Sequence, residues 1–332
     1  MPHAARLEMV TGRRFAAAVV LCLILAPTPS LARKPRSRHA GLHDVRRLLE
    51  RSIVIKGTMC TIKAEGLDSS WTAHAVTDGF AELERLDSLL DSSRPDGELA
   101  RLNTTAAELR TSCSPDLYAA IDSAIALARE TEGAFDPSVE PLLRAWDVRG
   151  PGHVPSIEEL NDARQRVGWK MVQIEPVYRT VRFRRDGMGI DLGALAHGYA
   201  IDQVAEMMRT RRMARVMLEF GDQAVGFSDG ESWVVEITDP ADRARPALRL
   251  ILHRGALSTA GGGDRGADST GRHASPLFDT GQGRPLETEA SVTVVTRSAT
   301  RAAALAAAML VMGREPAEAF LADHPDVGAV WI

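Results

Sequence analysis

Apolar residues recur along this chain with two different periods, and the alternation between them sets the expected architecture. Between Thr72 and Leu90 the apolar positions Val76, Phe80, Leu83, Leu86 and Leu90 follow helical spacing. Leu117, Ile121, Ile125 and Ala128 form a second such stripe, opened by Ser114 as a cap and Pro115 at the first helical position. A third helix is expected after Gly198, carrying Ala200, Val204, Met207 and Met208. Elsewhere the period falls to two. Trp233, Val235 and Ile237 alternate with Ser232, Val234 and Glu236, and the stretches 52–55, 59–63, 248–252, 292–296 and 327–332 read as further strands. Strands in clusters with helices between them predict an α+β class of mixed sheets and helices for residues 51–332, a length that suits one large domain or two small ones.

The amino-terminal apolar run belongs to a different class. Arg13 and Arg14 precede a stretch from Phe15 to Ala26 that has the length of a signal-peptide core and falls short of the roughly 20 residues a membrane-spanning helix requires. Ser30, Leu31 and Ala32 then supply small residues at the outer positions of a cleavage site, so residues 1–32 are expected to be a signal peptide, with Met9 an alternative start. Cys22 follows Leu21, a poor lipobox residue, and a soluble periplasmic protein is favoured over a lipid-anchored one. Residues 33–50, with Lys34, Arg36, Arg38 and His39, read as a solvated basic linker and not a nucleic-acid patch. A formal net charge of −4 argues in the same direction, since it lacks the basic excess of a nucleic-acid binder. Only Cys60 and Cys113 remain beyond the leader, which excludes a disulfide framework and leaves one bridge open.

Three loops carry candidate chemistry. Gly133, Ala134, Phe135, Asp136 and Pro137 join a permissive glycine, an aromatic ring and a carboxylate in one turn, which could wall a pocket for an aromatic ligand. The same five residues also read as a plain turn after a helix, with Phe135 folded into the core. From Ile190 to Asp202 a strand ends in Asp191, and Gly193 and Gly198 bracket a tight turn into a helix whose free N–H groups can hold a phosphate. Asp279 to Pro285 forms a polar loop ahead of the strand at Val292.

In this order, G-A-F-D-P, then D-L-G-x-x-A-x-G-Y-A-x-D, then D-x-x-x-G-x-P, a strand and an alanine-rich helix, the chain resembles the ApbE family of FAD:protein FMN transferases. Gly57 and Thr58 fall on that family's Met-Gly-Thr, and Pro95, Asp96, Glu98, Leu99 and Asn103 echo its P-D-S-E stretch. The resemblance implies transfer of the FMN half of FAD to a Ser or Thr hydroxyl of a target flavoprotein, with release of AMP and with Mg2+ at the pyrophosphate. It implies that Thr58, Ala134, Phe135, Asp136, Asp191, His197 and Leu277 line the FAD site, and that the backbone carbonyl of Ala194 faces the metal.

Departures from the family cluster on its chemistry. Lys56 replaces the methionine, Ser93 a tyrosine, and His197 the lysine of the A-K-G turn, while Glu219 and Asp222 alter an N-x-G-G-D turn. The histidine expected to serve as base aligns with Pro276, which leaves His273 as the nearby candidate. Asp and Thr of the family's A-D-A-L-A-T helix, which bind magnesium, become Ala303 and Ala307. Glu219, Asp222 or Asp264 would have to supply replacement ligands. Loss of a base removes about 10² to 10⁴ in rate, so two functions stand open: a transferase with altered chemistry, and a flavin binder or scaffold without transferase activity.

Overall fold

The computed structural model describes residues 8–11, 47–240, 242, 244–261 and 277–332. In chain order its strands are β1 (Glu8–Thr11), β2 (Leu49–Ile55), β3 (Thr58–Glu65), β4 (Thr111–Ser112), β5 (Val172–Glu175), β6 (Thr180–Phe183), β7 (Arg215–Phe220), β8 (Gln223–Ser228), β9 (Trp233–Thr238), β10 (Pro246–Leu252), β11 (Arg254–Gly261), β12 (Phe278–Asp279), β13 (Arg284–Pro285), β14 (Ser291–Thr296) and β15 (Gly328–Trp331). The helices are α1 (Ser69–Leu89), α2 (Glu98–Thr105), α3 (Pro115–Glu130), α4 (Glu140–Ala145), α5 (Ile157–Gln165), α6 (Gly193–Thr210), α7 (Ala299–Met312) and α8 (Arg314–Asp323).

Eight of the strands form one sheet in the order β1-β15-β14-β11-β8-β7-β3-β2. Every neighbouring pair in it runs antiparallel. Period-two alternation gives the sheet two apolar faces. Cys60, Ile62, Ala64, Val216, Leu218, Phe220, Val225 and Phe227 lie in the main core with residues of α1, α3, α6 and α7. Met217, Ala224, Leu257 and Val295 belong to a second cluster with Trp233, Val235, Ile237, Leu250 and Leu252 of the β9–β10 hairpin. The α+β class read from the periodicities is what the structure has, and of the two organisations left open it takes the single domain, built on the large sheet. Strand β1, which falls within the expected leader, pairs with β15 at the sheet edge; residues 1–7 and 12–46, the rest of that leader and most of the linker, lie outside the described residues.

One sequence expectation changes here. The helix expected after Gly198 begins at Gly193, so the two glycines do not bracket a turn and Gly198 sits in the second turn of α6. The reason is a helix crossing. A Cβ on Gly198 would lie 2.5 Å from the Ala299 carbonyl oxygen of α7 and 2.9 Å from Gln223 Oε1, so only glycine admits the approach. Asp202, one turn further along α6, fastens that crossing. Its carboxylate accepts from the backbone N–H groups of Ala299 and Thr300 and from the hydroxyls of Ser298 and Thr300, at 2.7–2.9 Å. The last residue of the D-L-G…Y-A-x-D pattern is thus a helix cap supplied by a neighbouring helix. The pairing left open by the sequence is also answered: Cys60 and Cys113 are both buried and free.

Candidate active site at the start of helix α6

The first two of these loops meet where α6 begins. The Asp191 N–H donates to the Pro137 carbonyl at 2.8 Å, which ties the second loop to the first. Asn103 clamps the preceding residue, donating to the Ile190 carbonyl at 2.9 Å and accepting from the Ile190 N–H at 2.8 Å. That places the end of the P-D-x-E stretch against the same strand end. Asp191 then turns its carboxylate over the helix start. Oδ1 accepts from the Gly193 N–H at 3.0 Å, while Oδ2 accepts from Ser92 Oγ at 2.7 Å and Arg149 Nη2 at 2.5 Å. The other guanidinium nitrogen, Nη1, reaches Glu140 at 2.9 and 3.1 Å. No local pattern pointed to Ser92 or Arg149, because their pairs with Asp191 span 99 and 42 residues of chain, and Glu140 is drawn in through Arg149.

Glu140 is buried, and burial pushes its carboxyl up to about 6; Arg149 draws it down and the Asp191 charge pushes it up further. The sign follows directly. A carboxyl whose folded value exceeds its ordinary one holds its proton more tightly in the native state, so its contribution is most favourable below about pH 4.5 and is lost as pH rises through about 6. Relative to a Glu140→Gln variant, wild-type stability is expected to fall by about 2 kcal/mol between pH 4.5 and 7. Urea unfolding of both proteins across that range measures the difference, and a flat difference refutes it.

The first loop spends its side chains internally. Thr131 Oγ1 accepts from the Phe135 N–H, and the Phe135 ring is buried in the main core. Asp136 caps the short turn Pro137–Val139, accepting from the N–H and hydroxyl of Ser138 at 2.8 and 2.6 Å and from the Trp169 N–H at 3.0 Å. Burial pushes its carboxyl up, against the pull of those three donors. Ala134 packs half-buried against the same core.

On the other side of the α6 start stands the β2–β3 hairpin. Its turn residues Lys56 and Gly57 both have positive φ, +44° and +82°, the geometry of a tight two-residue turn. The turn aims Lys56 Nζ at Asp87 Oδ2 (2.8 Å) and Asp91 Oδ2 (2.7 Å), and Asp91 also accepts from the Ser93 N–H and hydroxyl. Burial works against both charges, yet the pairing wins: the Asp91 carboxyl sits below the usual carboxylate range and the Lys56 ammonium above its own. His197, in the second turn of α6, brings Nε2 to 3.7 Å from Asp87 Oδ1 and stacks on Phe220 with ring centroids 3.9 Å apart and planes 18° from parallel. Gly221, with φ +60°, leaves room beside it: a Cβ there would lie 3.1 Å from the Thr58 methyl and 3.8 Å from His197 Nδ1.

The third loop is held from below. Asp279 accepts from the N–H groups of Gln282 and Gly283, Trp146 Nε1 donates to the Gly283 carbonyl at 2.9 Å, and Arg164 donates to the Gly281 carbonyl. Leu277 packs against both helix-side core clusters, and its carbonyl accepts from the Leu286 N–H at 2.7 Å.

The residues expected to hold a metal do not fit one. Ala303 and Ala307 are 3% and 4% exposed, with methyl side chains packed in the main core. Glu219 lies on the opposite face of the sheet, 3.1 Å from Lys63. It shares with Asp222 and Thr259 a recess of about 270 Å³ beneath the β9–β10 hairpin, so neither acid stands in for Ala303. Among the described residues no three His, Cys, Asp or Glu side chains are grouped to bind a metal ion, and Ala194 can offer only its backbone carbonyl. Asp264, His273 and Pro276 lie outside the described residues.

Comparison with known proteins agrees with this assembly. The chain is 26% identical over 302 residues to the FAD:protein FMN transferase of Treponema pallidum, covering 85% of this chain and 83% of that protein. To the FAD:protein FMN transferase of Vibrio cholerae it is 30% identical over 263 residues, covering 76% and 77%. The crystal structure of the ApbE protein from Thermotoga maritima shares its fold, with a TM-score of 0.78 at 24% identity over 85% of this chain and 93% of that one. The flavin transferase ApbE from Vibrio cholerae superposes with a TM-score of 0.71 at 28% identity, over 86% and 93%. The sequence model of the ApbE family matches residues 56–331. With the loop order, the fold and that match in agreement, this chain belongs to the ApbE family.

Proposed function

We propose that this protein transfers the FMN moiety of FAD to a Ser or Thr hydroxyl of an acceptor flavoprotein, releasing AMP. The observation that carries the reading is the convergence of the Gly133–Pro137 loop, the Asp191–Gly193 turn and Ser92 on the first turn of α6. A helix start favours anionic groups through its dipole and its N–H donors, so it suits the FAD pyrophosphate. Thr58, Asp191, His197 and Leu277 surround that start as FAD contacts. Ala134, Phe135 and Asp136 would meet the flavin through their main chain, since the Phe135 ring and the Asp136 carboxylate are already used inside the protein.

Phosphoryl-type transfer depends chiefly on positioning and charge neutralisation. Mg2+ would ordinarily contribute several kcal/mol of that neutralisation, but the vacated pair Ala303 and Ala307 offers it no side-chain ligand. Charge balance in this chain therefore falls to its own cations around the α6 start, Lys56 and Arg149. We further propose export on the leader 1–32 and action on an exported flavoprotein in the periplasm.

The test is direct. Protein without the leader is incubated with FAD and a flavin-acceptor domain, and the acceptor is weighed by mass spectrometry. An FMN adduct is expected, together with FAD binding tighter than about 100 μM. FAD binding without any adduct, under conditions where another family member flavinylates the same domain, would replace transfer with flavin binding alone.

A further inference from the structure

We propose that the segment of the acceptor flavoprotein carrying the receiving hydroxyl binds in extended form along strand β9, adding a third strand to the β9–β10 hairpin and passing over the β7–β8 turn to the α6 start. The proposal rests on the FMN-transfer reading and names the surface on which that reading's protein substrate docks.

The recess of about 270 Å³ beneath the hairpin is walled by the run Val235 to Thr238, consecutive residues whose side chains alternate between buried and exposed. Side chains of both orientations line one cavity when the cavity follows the edge of the strand, where the main-chain N–H and C=O groups are presented. Among the described residues β9 pairs with β10 alone, so this second edge carries no strand. The floor is the large sheet, where Thr61, Glu219 and Ala224 stand side by side across β3, β7 and β8. A polypeptide lying there finds main-chain partners along one side and a sheet face below, which is how extended peptides are taken up at a sheet edge.

The course of β9 leads to the FAD site. Trp233, at its start, donates from Nε1 to the Phe227 carbonyl near the far end of β8, at 3.3 Å. From there β9 runs back beside β8, and its last residues share the recess with Gly221 and Asp222 of the β7–β8 turn. Gly221 is also where that turn meets Thr58, whose methyl would lie 3.1 Å from a Cβ at Gly221. A strand added to β9 thus ends beside a residue already placed around FAD.

Two observations give the chemistry of the occupant. Val54 and Met59 are cross-strand partners in the β2–β3 hairpin and are 60% and 57% exposed, and Met59 also lines the recess. They suit an apolar side chain of the incoming segment. The charged residues of the lining, Glu219, Asp222 and Glu236, are all acids. Lys63 answers Glu219 at 3.1 Å and Arg249 answers Glu236 at 2.8 Å, which leaves Asp222 to a basic group of the partner. The bare edge of the large sheet, β2, is the poorer acceptor: it carries Glu50 and Arg51, charges of the kind that guard an edge, whereas β9 has Glu236 as its one charged residue.

Hydrogen exchange and steady-state transfer test this with the leaderless protein and a flavin-acceptor domain. With the acceptor bound, the β9 amide protons should exchange about tenfold more slowly while those of β2 keep their rate. The paired change Val54→Asp and Met59→Asp, at exposed positions outside the groups placed around FAD, should raise the KM for the acceptor about tenfold and leave kcat and FAD affinity within about twofold. Glu236→Lys should raise the same KM about threefold by opposing a basic partner. Slowed exchange at β2 in place of β9, a wild-type KM in the paired variant, or a lowered kcat at unchanged KM would each overturn the proposal. An acceptor that protects β9 yet receives no FMN would keep the docking surface and remove the transfer reading. Full flavinylation with no protection of β9 would remove the docking surface alone.

Discussion

Replacing Asp202 with alanine is expected to destabilise the protein by about 2–4 kcal/mol, because it removes a cap and a charged hydrogen-bond hub together. Its carboxylate satisfies two of the N–H groups that α7 leaves without intrahelical partners and two hydroxyls of the same turn. Alanine would strand all four donors in a half-buried crossing where Gly198 already holds the helices too close for water to enter easily. For a domain of this size the change corresponds to a fall in Tm of roughly 5–12 °C. Asp202→Asn keeps one acceptor oxygen and should lose about half as much. Thermal unfolding of the three proteins is the measurement, and an alanine variant within a degree of wild type would show that the cap is redundant.

A larger effect is expected at Ala303. Aspartate there would place a carboxylate at a position 3% exposed, among apolar neighbours of the main core. Burying an unpaired charge costs several kcal/mol, and the group responds by holding its proton. Ala303→Asp should therefore be strongly destabilised in EDTA, and more so at pH 8 than at pH 5. The sign is that of any acid with a raised folded value: stability declines as pH rises through it. Pairing the change with Ala307→Thr rebuilds the two side chains the family resemblance expects on this helix face, and Mg2+ should then raise Tm in the double variant but not in the wild type. If it does not, the loss of the metal site extends beyond these two residues. The wild-type alanines make the same argument in reverse: once the carboxylate is absent, small apolar side chains are what this packed position stabilises.

The candidate site was legible in unequal parts. Its backbone features could be read directly, because glycines, prolines and caps act locally. Ser114 and Pro115 start α3 as their chemistry dictates, with the Leu117 N–H donating to Ser114 Oγ. The three loops were recognisable for the same reason. Their side-chain roles were less so. Phe135 and Asp136 have the composition of a ligand wall, yet the ring fills the core and the carboxylate caps a turn. Asp202 belonged to a ligand-binding pattern and proved to cap another helix. Asp87 and Arg149 drew no attention, since an acid near the end of a helical stripe and a basic residue in a loop are ordinary features until the chain is folded.

By itself the sequence determined the α+β class, the apolar stripes of α1 and α3, the order of the three loops, and the absence of side-chain metal ligands at Ala303 and Ala307. Each of these depends on a residue's own backbone freedom, periodicity or functional group, and so survives without coordinates. Only the tertiary structure decided what the polar groups do with one another. It showed that Gly198 serves a helix crossing and not a turn, that Glu219 faces away from α7, and that Lys56 and His197 share Asp87. Such pairings join residues tens of positions or more apart, and a charge takes its meaning from the partner and the burial that folding gives it.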